Sequence, residues 1–164
     1  ILYRKCWIDT VQWHYEDIIR DDEIKPKKAL DLKRKIDKSN QKRTNLVEVI
    51  DDYFIDEFKK VNPQKNATIN TESPAWAIDR LSILVLKIYH MAEESSRTSA
   101  TKDHRMKCSE KLSILNEQKS DLCLAIDQLV NDLSEGKKLM KVYRQMKMYN
   151  DEDLNPILYK KDKD

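Results

Sequence analysis

Residues 73–91 read Ser-Pro-Ala-Trp-Ala-Ile-Asp-Arg-Leu-Ser-Ile-Leu-Val-Leu-Lys-Ile-Tyr-His-Met. Ser73 can cap a helix, and Pro74 suits the first helical position, where a missing N–H costs nothing. From Trp76 to Met91 the stretch is apolar on most sides, with Asp79, Arg80, Lys87 and His90 as the exceptions. A helix apolar nearly all round has to be covered from several directions at once. The stretch is therefore expected to be the most buried helix of a helical assembly, with the polar residues 93–102 forming the next turn.

Three more segments, on either side of this stretch, carry helical periodicity. In the first, from about Ile1 to Asp21, Trp7, Val11, His14 and Ile18 recur at spacings of three and four, with Ile8, Tyr15 and Ile19 beside them. The second starts near Pro26 and runs to about Val61, on the stripe Leu32, Ile36, Asn40, Arg43, Val47, Ile50, Phe54 and Phe58. At about 1.5 Å per residue it is roughly 50 Å long. The last runs from about Asp103 to Ser134 on His104, Cys108, Leu112, Leu115, Leu122, Ile126, Leu129 and Leu133. Gly136, the only glycine, stands where a left-handed C-terminal cap is expected. Beyond it Met140, Val142, Met146 and Met148 alternate with polar residues, a two-residue period that reads as an extended or short-helical tail. The expected fold is all-α, an antiparallel four-helix bundle over 1–136. A basic, aromatic tail over 137–164 docks on it within a single domain.

Composition agrees. One glycine and four prolines in 164 residues are too few for a fold rich in tight turns, and 37% charged residues suit long amphipathic helices. The net charge is +2, from 31 basic and 29 acidic residues, so no global field draws the chain to nucleic acid or an anionic membrane. No apolar run approaches the ~20 residues needed to span a bilayer. Cys6, Cys108 and Cys123 are widely spaced; Cys6 and Cys108 fall on apolar faces and read as buried thiols in a reducing, cytoplasmic setting. The chain begins at Ile1 rather than at methionine, which allows for an upstream segment or a removed leader.

Several segments together resemble one family. They are Trp13-His14-Tyr15-Glu16-Asp17-Ile18-Ile19-Arg20, Lys33-Arg34-Lys35-Ile36-Asp37 with Asn40-Gln41, Ile78-Asp79-Arg80-Leu81-Ser82-Ile83-Leu84, and Val142 to Asp151 with Leu154-Asn155-Pro156. The combination is similar to the bacterial family filed as domain of unknown function 4254. The resemblance implies a helical fold, a bacterial source and a genetic setting among cell-surface polysaccharide genes; it implies no activity and no catalytic residue.

The candidate chemistry lies on the apolar faces. His14 and Asp17 are neighbours at three-residue spacing, and Glu16 and Arg20 can pair at four. With Asn40 and Arg43 in mid-stripe, and Asp79 and Arg80 near the start of the third helix, they form a candidate polar pocket. It either binds a ligand or serves as a paired structural network. In the tail, Tyr143, Arg144, Lys147 and Tyr149 form a candidate partner-binding segment. No Cys/His pair has zinc-site spacing and no Glu-x-x-His occurs, so neither metal nor cofactor is expected. Glu16-Asp17 and Glu48-x-x-Asp51 echo the acids of helical magnesium-dependent nucleotide pyrophosphohydrolases, but Arg20 stands where a third acid belongs. The leading expectation is a non-catalytic interaction module with a protein partner, or a homodimer. The alternative is a small-ligand binder or enzyme built on the pocket, with nucleic acid the last of the partners.

Overall fold

The computed structural model describes residues 1–146, 148 and 151–159. Four long helices form, α1 (Leu2–Ile19), α2 (Pro26–Phe58), α3 (Pro74–Ser96) and α4 (Lys102–Ser134), followed by a one-turn α5 (Pro156–Tyr159). This is the all-α bundle that the periodicity predicts. Pro26 and Pro74 open their helices, and the hydroxyls of Ser73 and Thr101 accept the backbone N–H of Trp76 and His104. α3 continues through 93–96 instead of turning there: Tyr89 and His90 reach Glu93 one turn on, so polarity marks exposure, not a helix end.

α3 is the hub. It packs against α1, α2 and α4, and α1 and α2 also pack on each other as a hairpin. Consecutive helices run antiparallel, so α1 and α3 are parallel: Lys5 meets Ser82, and eight residues further along both helices Trp13 meets His90. The apolar core is centred on Val47, Ile50 and Ala75, with Phe54, Trp76 and Ile78 packed around it. α4 carries 33 residues against 23 in α3, so it extends roughly 15 Å beyond its partner at about 1.5 Å per residue. Cys108, Leu129 and Leu133 of its predicted stripe are buried, whereas Leu112, Leu115, Leu122 and Ile126 are only half-covered.

Gly136 closes α4 with φ +70°, and a Cβ there would stand 2.6 Å from the Asn62 carbonyl oxygen. The same glycine's carbonyl accepts the Gln64 N–H at 2.8 Å, and Thr68 exchanges backbone hydrogen bonds with Lys137 and Leu139. The α2–α3 connector is thereby tied to the start of the tail. Further on, Arg144 pairs with Asp52 and donates to the Glu48 carbonyl at 3.2 Å, while the Gln145 N–H donates to the Glu48 carboxylate at 3.1 Å. These contacts lay the extended chain along α2. No helix among the described residues is long and apolar enough to cross a membrane.

Asp51 is buried beside this core. Burial pushes its carboxyl above the usual 3.8, against the opposing pull of the Ser73 hydroxyl and the Arg144 guanidinium; the neighbouring Asp52 and Glu48 push the same way as burial. The folded chain thus holds a proton at a pH where the unfolded chain has lost it. Stability accordingly falls as the pH rises from 3.8 through the folded-state value. Asp51→Asn is expected to melt above the wild type at pH 7 and to converge with it below pH 3.8, which thermal denaturation across that range will measure.

Candidate functional site

The face that α1 turns inward is not the one its apolar periodicity selects. Lys5, Ile8 and Asp9 are buried, with Gln12, Trp13, Glu16 and Ile19 half-buried around them. At roughly 100° per residue, the stripe Trp7, Val11, His14 and Ile18 is centred on nearly the opposite side; Trp7, His14 and Ile18 are exposed and Val11 is half-buried. His14 therefore does not enter a pocket. It is 60% exposed, 4.0 Å from Asp17, with its ring edge-on to that of His90. The reason is electrostatic: α3 presents Asp79 and Ser82 toward α1, and the Lys5–Asp9 side answers them. Cys6, expected to be buried, is exposed for the same reason, while Cys108 is buried as its face suggests.

The inward contact is an ion cluster. Lys5, with no exposed surface, donates to Asp9 Oδ2 at 2.6 Å and to the Ser82 hydroxyl, and pairs with Asp79 Oδ1 at 2.9 Å. Ser82 in turn donates to Asp9 Oδ2 at 2.7 Å. Arg43 reaches in from α2, its Nε 3.8 Å from the same Asp79 oxygen. Two cations and two carboxylates balance, and three helices converge on them. Lys5, Asp9 and Ser82 lie outside the predicted pocket; the sequence signal for them is the four-residue spacing of Lys5 and Asp9 on the side of Ile8 and Ile19.

Above this cluster a cleft of about 400 Å³ opens between α1 and α3. α1 lines it with Asp9, Gln12, Trp13, Glu16, Asp17 and Arg20, α2 with Arg43, and α3 with Ile83 and Leu86. Of the predicted pocket residues, Glu16, Asp17, Arg20 and Arg43 thus come together, and Asp79 lies against Arg43 beneath. Glu16 and Arg20 satisfy one another at 3.0 Å. Asp9 Oδ1, Gln12 Oε1 and Arg43 Nε are buried and have no hydrogen-bond partner among the protein's own atoms. Trp13 is held by stacking on His90, with ring centroids 4.7 Å apart.

The remaining predicted residues fall elsewhere. Asn40 is half-buried, its backbone carbonyl accepting the Thr44 hydroxyl. Arg80 is exposed, pairs with Glu72 at 3.0 Å and borders a separate groove between α3 and α4. Glu16 and Glu48 do not form a magnesium clamp: Tyr15 faces Lys35 across the hairpin, and Glu48 is 13 residues, roughly 20 Å, further along α2. Tyr143 and Arg144 are exposed. Lys147 and Tyr149 lie outside the described residues. His104 Nε2 contacts both Glu94 at 2.9 Å and Cys108 Sγ at 3.4 Å. Arg97 first, and His104 second, hold the Glu94 carboxyl below its ordinary range. One ring nitrogen shared by an acid and a thiol does not make a nucleophile relay. Among the described residues no group of three or more His, Cys, Asp or Glu is placed to hold a metal.

The family model described as "Protein of unknown function (DUF4254)" matches residues 1–142. The chain belongs to that family. The match covers all four long helices, the ion cluster and the cleft, so in this DUF4254 chain the whole site is built from family sequence. No curated protein and no solved structure matches it.

Removing the Lys5 ammonium leaves Asp9 and Asp79 buried together without their shared cation, and breaking a buried pair from one side costs about 3–5 kcal/mol. Lys5→Met is expected to lower the unfolding free energy by that amount in urea titrations. A loss below about 1 kcal/mol, the level of an exposed ion pair, would show that the cluster does not hold α1 to α3.

Proposed function

We propose that this protein binds a small, polar ligand in the cleft between α1 and α3. One observation carries the reading: Asp9, Gln12, Asp17 and Arg43 converge on a single cavity of about 400 Å³ whose other walls are Trp13, Ile83, Leu86 and the mutually paired Glu16 and Arg20. A pocket of this size, with a few convergent polar groups on an apolar ground, is what small-molecule recognition requires. Arg43 offers a planar guanidinium to a carboxylate or carbonyl group. Asp9 and Asp17 accept from hydroxyl or ammonium donors, and Gln12 does either. The chemistry selects an amino acid, hydroxy acid or sugar acid.

Thermal shifts over those three classes test this. A ligand at 100 times its dissociation constant adds about 2.7 kcal/mol, roughly 5–10 °C for a chain of this size. Asp17→Asn and Arg43→Gln are expected to abolish the shift while each variant alone keeps its helical circular dichroism. The absence of any shift across all three classes would sink the reading.

A second reading, a helical interaction module, rests on the opposite side of the α1–α3 contact. There a groove of about 350 Å³ is lined by Leu2, Cys6, Ile78, Leu81, Val85 and Tyr89. Leu2, Val85 and Tyr89 are among the exposed large hydrophobic residues of the chain. Exposed apolar surface of this kind fits a partner helix, including one from a second copy. If that surface pairs two copies, the chain sediments as a dimer and Val85→Glu sediments at 19.5 kDa; an unchanged dimer in the variant would place any self-association elsewhere.

A further inference from the structure

The outer side of the α1–α2 hairpin carries a third surface, chemically unlike the other two. A groove of about 300 Å³ is lined by Arg4, Trp7, Ile8, Val11 and Tyr15 of α1 and by Lys35, Lys38, Ser39 and Lys42 of α2. It holds four cations and no carboxylate, in a chain whose net charge is +2. None of the four has an ion-pair partner among the described residues, whereas Lys33 beside them on α2 is paired with Asp37. Lys35 Nζ lies 6.0 Å from the centre of the Tyr15 ring.

Lys35, Lys38 and Lys42 stand at spacings of three and four, so they share one face of α2 and repel one another. Arg4 adds a further cation from across the groove. A polyanion bound across the groove would relieve that repulsion, as salt does more weakly. The groove also carries a planar ring among its lining residues: Trp7 is 61% exposed. Multiple positive charges match a ligand with more than one phosphate, and an open indole matches a planar base.

We propose that the α1–α2 groove is a nucleotide site, taking a nucleoside diphosphate with its phosphates across Arg4, Lys35, Lys38 and Lys42 and its base on Trp7. This site is independent of the α1–α3 cleft. Trp7 and the four cations do not line the cleft, and the cleft residues do not line the groove.

Isothermal titration of the full chain with ADP, inorganic pyrophosphate, adenosine and a single-stranded oligothymidylate tests the assignment. ADP is expected to bind, pyrophosphate more weakly, and adenosine weakest; ADP affinity falls as salt is raised. The triple variant Lys35→Gln, Lys38→Gln, Lys42→Gln is expected to lose at least about 100-fold in ADP affinity, since three charge-assisted contacts go together. Its melting temperature without ligand equals or exceeds that of the wild type, because the repulsion is gone. Trp7→Ala weakens ADP about tenfold and leaves pyrophosphate unchanged, a split that a general loss of structure would not produce. Asp17→Asn, in the cleft, leaves ADP binding as it was. ADP that fails to bind, or binds the triple variant as tightly as the wild type, overturns the proposal. So does an oligonucleotide bound 100-fold more tightly than ADP, which would make the groove a strand-binding surface.

Discussion

One ammonium group organises this protein. Lys5 is shut off from water and satisfied by Asp9 on its own helix and by Asp79 and Ser82 on α3. A buried charge tolerates few arrangements, because any slip that removes a partner exposes the full cost of desolvation. The cluster therefore sets the rotation of α1 about its axis and its parallel register with α3. Ion pairs of this kind add little net stability compared with apolar packing, and their strength lies in rejecting alternatives.

That rotation distributes the chemistry of the whole molecule. With Lys5, Asp9 and Gln12 turned inward, Tyr3, Trp7 and Ile18 are turned out, which places an indole in the same groove as the lysines of α2. Glu16, Asp17 and Arg20, one and two turns further on, are carried to the mouth of the cleft. Leu2 and Cys6 are left beside Val85 and Tyr89. Three surfaces of different character thus surround one short helix: a polar cleft toward α3, an apolar groove on the other side of that contact, and a basic groove toward α2. A conventional amphipathic helix would have hidden its apolar stripe and kept only a solvated face.

The rest of the bundle supports this helix more than it participates. α3 supplies the fixed partner for three neighbours, helped by Ala75 and Ala77, whose small side chains let the helices approach closely. α4 braces α3 from outside. The left-handed turn at Gly136 and the backbone bonds between Thr68 and residues 137 and 139 lock the far end, and Arg144 ties the tail to α2 next to the buried Asp51.

Local regularities were enough to read the helices. Ser73-Pro74, Pro26 and Gly136 mark ends through backbone chemistry that needs no distant contact, and the stripes of α2 and α4 named Leu32, Ile36, Val47, Ile50, Cys108, Leu129 and Leu133 because one dominant side of each is apolar. The acidic and basic residues of the cleft are legible only in part: Glu16, Asp17, Arg20 and Arg43 stand out as charges near apolar positions, whereas nothing in the apolar stripe of α1 points to Lys5 and Asp9. Periodicity ranks the sides of a helix by transfer free energy alone. It selected Trp7, His14 and Ile18 for the interior of α1, and misplaced His14 and Cys6 with them. Which side of α1 is covered was decided by tertiary structure, because a charge becomes fit for burial only when another helix brings the opposite charge to it, and no spacing within α1 records what Asp79 and Ser82 hold on α3.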